Sequence, residues 1–212
     1  MSLYLWLDLF AVSVPFLLSF EKNLLFYKRW PFLFSAIFIA MIPFVAWDIL
    51  FTQKGFWGFN ADYLIGLKIF ALPIEEMLFF IVVPYASLFA YYAVRFHFPR
   101  FVVRDKMLSW IAGFLFLLAI MLATVFYDRI YTVLNFAAFA AIMAYGTFNS
   151  RQTLAAFLAI FPVILIPFFI MNGILTGTGI EREIVWYSES AFMGFRMGTI
   201  PFEDMFYGCL LY

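Results

Sequence analysis

Long apolar runs, separated by short segments that contain charged residues, glycine or proline, dominate the chain. A helix needs about 20 apolar residues to cross a bilayer, and most of these runs reach that length. The pattern therefore predicts an all-α integral membrane bundle of about seven transmembrane helices, the last of them short. The predicted helices are 3–20, 31–51, 69–94, 108–126, 130–148, 153–175 and 198–212.

Composition and charge restrict the class further. Hydrophobic residues make up 67% of the 212 residues and charged residues only 12%, which excludes an ordinary soluble domain. The formal net charge is zero, so nothing favours a nucleic-acid partner. The basic residues lie mostly in the loops on one side, which predicts a multi-pass protein of the cell membrane with its N-terminus outside. The first run lacks a positive leader and carries Asp8, so we expect a membrane helix there.

The chain also resembles itself, in two blocks that recur in the same order. Pro43, Asp48 and Gly55 recur with identical spacing as Pro167, Asn172 and Gly179. The stretch Gly66-Leu-Lys68-Ile-Phe-Ala-Leu-Pro73-Ile-Glu75-Glu76-Met77 recurs as Gly194-Phe-Arg196-Met-Gly-Thr-Ile-Pro201-Phe-Glu203-Asp204-Met205. This predicts two parallel three-helix repeats, 1–106 and 129–212, joined by a connector helix in 107–128. The alternative is that two proline-containing helix starts merely look alike.

Acidic residues inside the apolar helices are candidates for function, because ionisable groups are costly in the hydrocarbon region. With the predicted topology they fall in one layer toward the outer leaflet, and we expect one cavity there. The candidate catalytic residues are Glu75, Glu76, Glu203 and Asp204. The candidate supporting or substrate-binding residues are Asp48, Asn172, Lys68, Arg196, Trp47, Asp8, Phe79 and Phe206. The alternative is a set of salt bridges and helix caps at the membrane surface.

Local geometry refines this expectation. Pro73 and Pro201 can each occupy the first helical position, which places the acids in the first turn, where free N–H groups favour the anion. If each helix continues through its proline, Lys68 and Arg196 lie two turns before the acids on the same face. A carboxylic acid kept neutral in a dry aromatic cavity could protonate an alkene, and an ionised partner could take a proton back. Aromatic faces nearby suit a cationic intermediate.

The duplicated Pro73-Ile-Glu75-Glu76 and Pro201-Phe-Glu203-Asp204 motifs, in a phenylalanine-rich bundle, resemble the P-x-E-E/D motifs of the membrane lycopene cyclases. These occur as two small bacterial subunits or as fused domains. The resemblance implies acid-catalysed cyclisation of the linear ψ-ends of lycopene to β-ionone rings, without net redox change. It also implies a carotenoid substrate that enters from the bilayer. Because both halves keep glutamate at the first acidic position, we expect Glu75 or Glu203 to give the proton.

No flavin, nicotinamide or metal is expected. No glycine-rich dinucleotide fingerprint occurs, and the single Cys209 and lone His97 are too few for a metal site. The last helix has no lysine for a retinal Schiff base, and no arginine follows the Glu-Glu pair as an intramembrane glutamyl protease would require. A proton-coupled transporter and another carotenoid-modifying enzyme such as a hydratase remain alternatives. The sequence leaves open the ring type, the number of rings, the exact carotenoid, self-association and a continuation of helix seven past Tyr212.

Overall fold

Seven α-helices form at the predicted apolar runs, and three small sheets lie between them. The computed structural model describes residues 2–212. The helices are α1 Leu3–Leu18, α2 Trp30–Gln53, α3 Ile74–His97, α4 Asp105–Val125, α5 Ile130–Asn149, α6 Arg151–Leu175 and α7 Phe202–Leu211. The strands are β1 Trp57–Phe59, β2 Lys68–Ile69, β3 Leu72–Pro73, β4 Val185–Tyr187, β5 Arg196–Met197 and β6 Ile200–Pro201. All the strands follow α2 or α6 and precede α3 or α7, so they share one end of the bundle, called here the sheet end.

The helices are those of a membrane protein, and the predicted all-α membrane class is confirmed. Among residues 2–212, five helices are long and apolar enough to cross a bilayer, whereas α1 has 16 residues and α7 has 10. Large apolar side chains point away from the bundle, and Phe32 and Phe148 are 82% and 85% exposed. A soluble protein rarely presents such a surface, but lipid covers it at no cost.

Helix packing repeats along the chain. In the first half α1 and α2 pack against α3, and in the second half α5 and α6 pack against α7. The halves meet where α3 contacts α6 and α2 contacts α7. Helix α4 packs on α5, where a buried cluster includes Leu108, Phe136 and Met143. The division into two repeats and a connector stays a prediction, but each of these contacts in one half has its counterpart in the other.

The sheet end ties the halves together through β1 and β4. These strands pair antiparallel, with Gly58 opposite Trp186 and Trp57 opposite Tyr187. A Cβ atom on Gly58 would lie 2.4 Å from the Trp186 ring, so only glycine fits beneath that indole. Gly58 and Trp186 have the same sequence separation as Lys68 and Arg196, so they are equivalent positions in the two repeats. Because these equivalent positions pair with each other, the pair lies on the expected pseudo-twofold axis.

Helices three and seven begin later than predicted, at Ile74 and Phe202 instead of residues 69 and 198. The preceding residues form two tight hairpins, β2–β3 and β5–β6. Pro73 and Pro201 are the extended N-cap residues and not the first helical ones, with ψ angles of 149° and 138°. The helix therefore does not continue through either proline.

Candidate active site

The two hairpins deliver the acidic pairs to the first turns of α3 and α7. Each hairpin turns through a residue with positive φ, Phe70 at 58° and Gly198 at 65°. The chain then passes through proline and enters the helix, so both acids follow within the first turn. Backbone N–H groups in a first turn lack intrahelical acceptors, which favours negative charge there. Local sequence thus fixes both pairs at the sheet end of the bundle.

The second acid of each pair is held by tyrosine. Tyr4 Oη in α1 donates to Glu76 Oε2 at 2.6 Å. Tyr131 Oη in α5 donates to Asp204 Oδ1 at 2.7 Å, and Tyr187 Oη in β4 donates to Asp204 Oδ2 at 2.8 Å. Both oxygens of Asp204 therefore accept a phenolic hydrogen, whereas among residues 2–212 only one oxygen of Glu76 receives a donor.

The first acid of each pair holds the segment that precedes its hairpin. Glu75 Oε1 accepts the backbone N–H of Ile65 at 2.7 Å, and Glu203 Oε1 accepts that of Met193 at 2.8 Å. Thr132 also donates its hydroxyl to Glu203 Oε1. Both glutamates are 0% exposed. The second oxygen of each, Glu75 Oε2 and Glu203 Oε2, is buried and has no partner among residues 2–212.

A small cavity of about 60 Å³ separates the halves at the level of the second acids. Glu76, Asp204, Asp48 and Asn172 contribute its polar lining, and the rest of the wall is largely aromatic. Glu75 and Glu203 do not line it. The expected single cavity thus receives one acid from each pair and not all four. Its aromatic wall comprises Tyr4, Trp57, Phe59, Phe79, Tyr131, Phe168, Tyr187, Tyr207 and Tyr212.

Asp48 provides a third carboxylate from α2. Trp57 Nε1 and Thr52 Oγ1 donate to its Oδ1, while Oδ2 is buried and has no partner within residues 2–212. The equivalent position in α6 is Asn172, whose side chain donates to the Phe168 carbonyl. The cavity therefore has an acid on one side where the other side has an amide.

A larger apolar cavity adjoins the acidic one. It measures about 360 Å³, lies among α1, α3 and α6, and shares Phe168, Asn172 and Tyr212 with the acidic cavity. Phe10 and Ile170 at its border are 74% and 58% exposed on the lipid-facing surface. The larger cavity therefore borders both the lipid-facing surface and residues of the acidic cavity wall.

The remaining candidate residues divide between the cavity and its surroundings. Phe79 lines the cavity. Asp8 is buried in α1, and neither of its oxygens has a partner among residues 2–212. Trp47 stacks on Phe44 beside the cavity wall. Phe206 packs in the core with Phe136 and Phe139, away from the lining.

The two basic candidates lie outside the cavity. Lys68 is exposed in β2, and Arg196 in β5 contacts Glu189 at 3.5 Å and the Thr199 carbonyl. The expectation that they stand two helical turns from the acids on one helix face is wrong. Each is paired with a proline in a hairpin instead, Lys68 with Pro73 and Arg196 with Pro201.

Sequence reasoning missed the tyrosines that hold the second acids. Tyr4 and Asp8 in α1, and Tyr131 and Asn135 in α5, share the same i, i+4 spacing. In α5 that asparagine donates to the Glu203 carbonyl at 2.6 Å, one turn from the tyrosine contact. This third block of internal similarity was visible in the sequence, and it would have led to both phenols.

No metal site is apparent in the part of the chain that the structure describes. Within residues 2–212, no group of three or more His, Cys, Asp or Glu side chains is arranged to hold an ion. The independence from metals and organic cofactors stays a prediction.

Comparison with protein families gives a match to the model described as lycopene cyclase, over residues 1–94 and 128–212. The chain belongs to the lycopene cyclase family. The two matched segments contain α1–α3 and α5–α7, and α4 lies outside both. No curated protein and no solved structure matches the chain. Family membership identifies the chain as a carotenoid cyclase.

Proposed function

We propose that the chain cyclises the linear ψ-ends of lycopene to β-ionone rings by acid catalysis without a cofactor, giving γ- and then β-carotene. The observation that carries this proposal is the cavity in which Glu76 and Asp204, one acid from each motif copy, face the same aromatic-lined space. Cyclisation of this kind is an isomerisation, so it needs one proton delivered and one removed. A cavity with two differently held carboxyls supplies both requirements.

The chemistry balances without an oxidant or reductant. A carboxylic acid protonates the terminal double bond, which leaves a tertiary carbocation on the carbon that bears the two methyl groups. The next double bond attacks this carbon, closes the six-membered ring and moves the positive charge to the methyl-bearing ring carbon. A carboxylate then removes the proton from the ring carbon attached to the polyene, and the ring double bond forms. Deprotonation elsewhere would give a different ring type.

The cavity wall suits the cationic intermediates. Trp57 and Tyr131 meet edge to face with ring centroids 5.2 Å apart, and Tyr207 lies 6.2 Å from Tyr131. Faces of such rings attract cations by about 0.5–2 kcal/mol each, more where water is absent. The same packing limits the entry of water, which would otherwise capture the cation and turn cyclisation into hydration.

The adjoining apolar cavity offers a place for the polyene. We propose that lycopene enters laterally between α1, α3 and α6 and lies along this cavity, with one end in the acidic cavity. Because the substrate is lipophilic and about as long as the ~30 Å hydrocarbon core, it would stay within the bilayer. The two ends of one molecule would then react in turn, after release and re-entry in the opposite direction.

We also propose that the N-terminus and the sheet end face the outside of the cell membrane. The loops at the opposite end then hold the larger share of the basic residues, among them Lys28, Arg29, Arg95 and Arg104. Both acidic pairs would then lie in the outer half of the bilayer.

Expression in cells that accumulate lycopene tests the proposed activity. Cyclic carotenoids should form, and purified protein should produce them from lycopene under anaerobic conditions. Ala90→Trp, which fills the apolar cavity, should lower conversion at limiting lycopene, while Ala36→Trp on the exposed face of α2 should leave it unchanged. Hydrated products without rings would favour a hydratase. Unchanged lycopene despite good expression would refute the proposal.

A further inference from the structure

We infer that the two halves perform different steps: Glu76 gives the proton that starts cyclisation, and Asp204 serves as the carboxylate that removes the ring proton. This division rests on the proposed function and specifies it. It differs from the expectation drawn from sequence, which assigned the donor role to Glu75 or Glu203.

Asp204 is arranged to remain a carboxylate. Both of its oxygens accept phenolic hydrogens, from Tyr131 at 2.7 Å and from Tyr187 at 2.8 Å. Each Asp204 oxygen thus accepts one phenolic hydrogen and keeps a second acceptor site for a proton, while the two donors favour the ionised form over the protonated one. Two neutral donors also let the negative charge persist in a largely apolar wall without a neutralising cation. Such a group stabilises a nearby carbocation and can accept a proton from it.

Glu76 is arranged differently. Tyr4 occupies only Oε2, and no donor within residues 2–212 reaches Oε1. The residue keeps 8% of its surface exposed toward the cavity, in contrast to 0% for Glu75 and Glu203. The free Oε1 can therefore carry the transferable proton and point it at a double bond. Asp48 is the other cavity acid with an unoccupied oxygen, but its Oδ2 is buried, so it is less able to reach a substrate.

The difference in the number of phenolic donors to Glu76 and Asp204 arises at one pair of equivalent positions. Tyr187 in β4 supplies the second donor to Asp204. The equivalent position of the first repeat, in β1, is Phe59, which has no hydroxyl. Tyr4 and Tyr131, in contrast, supply one phenol to each half. The Glu76 side chain also has one methylene more than that of Asp204.

The proton cycle closes within the cavity. Each ring transfers one proton from Glu76 to the carotenoid and returns one from the carotenoid to Asp204. Both acids line the same space of about 60 Å³, and a cavity needs only about 10–15 Å³ to hold a water molecule. Water can therefore pass the proton from Asp204 back to Glu76 between turnovers. The net reaction consumes no proton.

The test uses the full-length protein in lipid with lycopene in D2O, and it measures deuterium in the rings, the total rate and the ratio of β to other ring types. Glu76→Gln should reduce all ring formation by at least about 10²-fold, the low end for loss of a general acid, and Glu76→Asp should recover part of it. Asp204→Asn should slow the reaction but still give deuterated rings, with a larger share of ε or γ rings, because the proton is then lost at other carbons.

Two tyrosine variants serve as the matched pair. Tyr187→Phe should change the ring ratio in the same direction as Asp204→Asn, while Tyr4→Phe should slow the reaction without changing the ratio. Thermal unfolding of each variant identifies any that fails to fold. If the wild-type protein forms no rings, the proposed function fails. If it forms rings but Glu76→Gln still makes them at near-normal rate, or if Tyr4→Phe changes the ratio as much as Tyr187→Phe, only the division of roles fails.

Discussion

Glutamine in place of Glu75 or Glu203 distinguishes a role in stability from a role in chemistry. Each of these glutamates accepts a backbone N–H from the segment before its hairpin, at 2.7 Å from Ile65 and 2.8 Å from Met193. Glutamine keeps an acceptor oxygen of the same reach but loses the negative charge. We therefore expect both variants to fold, to bind substrate and to keep activity within about tenfold of the wild type, while the free energy of unfolding falls.

The size of the fall follows from the hydrogen bonds. A bond to a charged group contributes about 1.5–3 kcal/mol and a neutral one about 0.5–1.5 kcal/mol, so each loses about 1–1.5 kcal/mol. In a protein of this size 1 kcal/mol lowers Tm by about 2–4 °C. Glu203 also accepts the Thr132 hydroxyl, so Glu203→Gln should lower Tm more than Glu75→Gln. The expected shifts are about 2–6 °C for Glu75→Gln and more for Glu203→Gln.

The assay is thermal unfolding in detergent alongside conversion of lycopene by the same preparations. Glu76→Gln is the matched control, because it removes an acid from the cavity while leaving both hairpin anchors in place, and it should lose activity with little change in Tm. An unchanged Tm with activity reduced by 10² or more in both first-position variants would refute the reasoning. It would restore the sequence-based assignment of the proton donor to the first pair.

Three further predictions concern the cavity wall, the hairpins and cofactors. Trp57→Phe removes the indole donor to Asp48 Oδ1 and leaves Thr52 as the remaining donor to that oxygen within residues 2–212, so the free energy of unfolding should fall by about 1.5–3 kcal/mol in a thermal melt, the contribution of one hydrogen bond to a charged group. Gly198→Ala should destabilise by about 1–2 kcal/mol because its φ is 65° although space is open, whereas Gly113→Ala, also in open space but within α4, should not. Exhaustive treatment with a chelator and removal of flavin and nicotinamide should leave the cyclisation rate unchanged, and activity only with reduced flavin would contradict this.

Most of the fold could be predicted because membrane helices depend on local composition. A run such as 153–175 has no stable alternative to a helix in lipid, since every backbone group must be satisfied within the segment. The helix starts at Ile74 and Phe202 could not be placed in the same way. The preceding hairpin decides whether a proline caps the helix or occupies its first turn. That hairpin in turn depends on a two-residue turn, and in one copy the turn residues, Phe70-Ala71, carry no turn signal.

The candidate site was predicted at the level of motifs but not of individual side chains. The duplicated acids indicated a functional layer, and the family match agrees with the carotenoid cyclase that their motifs suggested. Which acid of each pair faces the cavity depends on helix rotation, and a change of one residue rotates a side chain by about 100°. The donors Tyr4 and Tyr131 lie far from the motifs in sequence, so only their matching positions in α1 and α5 could have connected them to the acids.

Equivalent positions in the two halves of this cyclase fall into two groups, those that hold the same kind of residue and those that differ. The glutamates that hold the segments before the hairpins, Glu75 and Glu203, are the same in both halves, and each hairpin carries a base, Lys68 or Arg196. Positions around the cavity differ, as the pairs Glu76 and Asp204, Asp48 and Asn172, and Phe59 and Tyr187 show. Two identical halves would present the same acid twice, and neither would be favoured as donor or acceptor. A cyclisation needs one proton given and one removed at different carbons. A single chain with two halves can therefore use differences at its cavity positions, whereas a symmetric dimer has none.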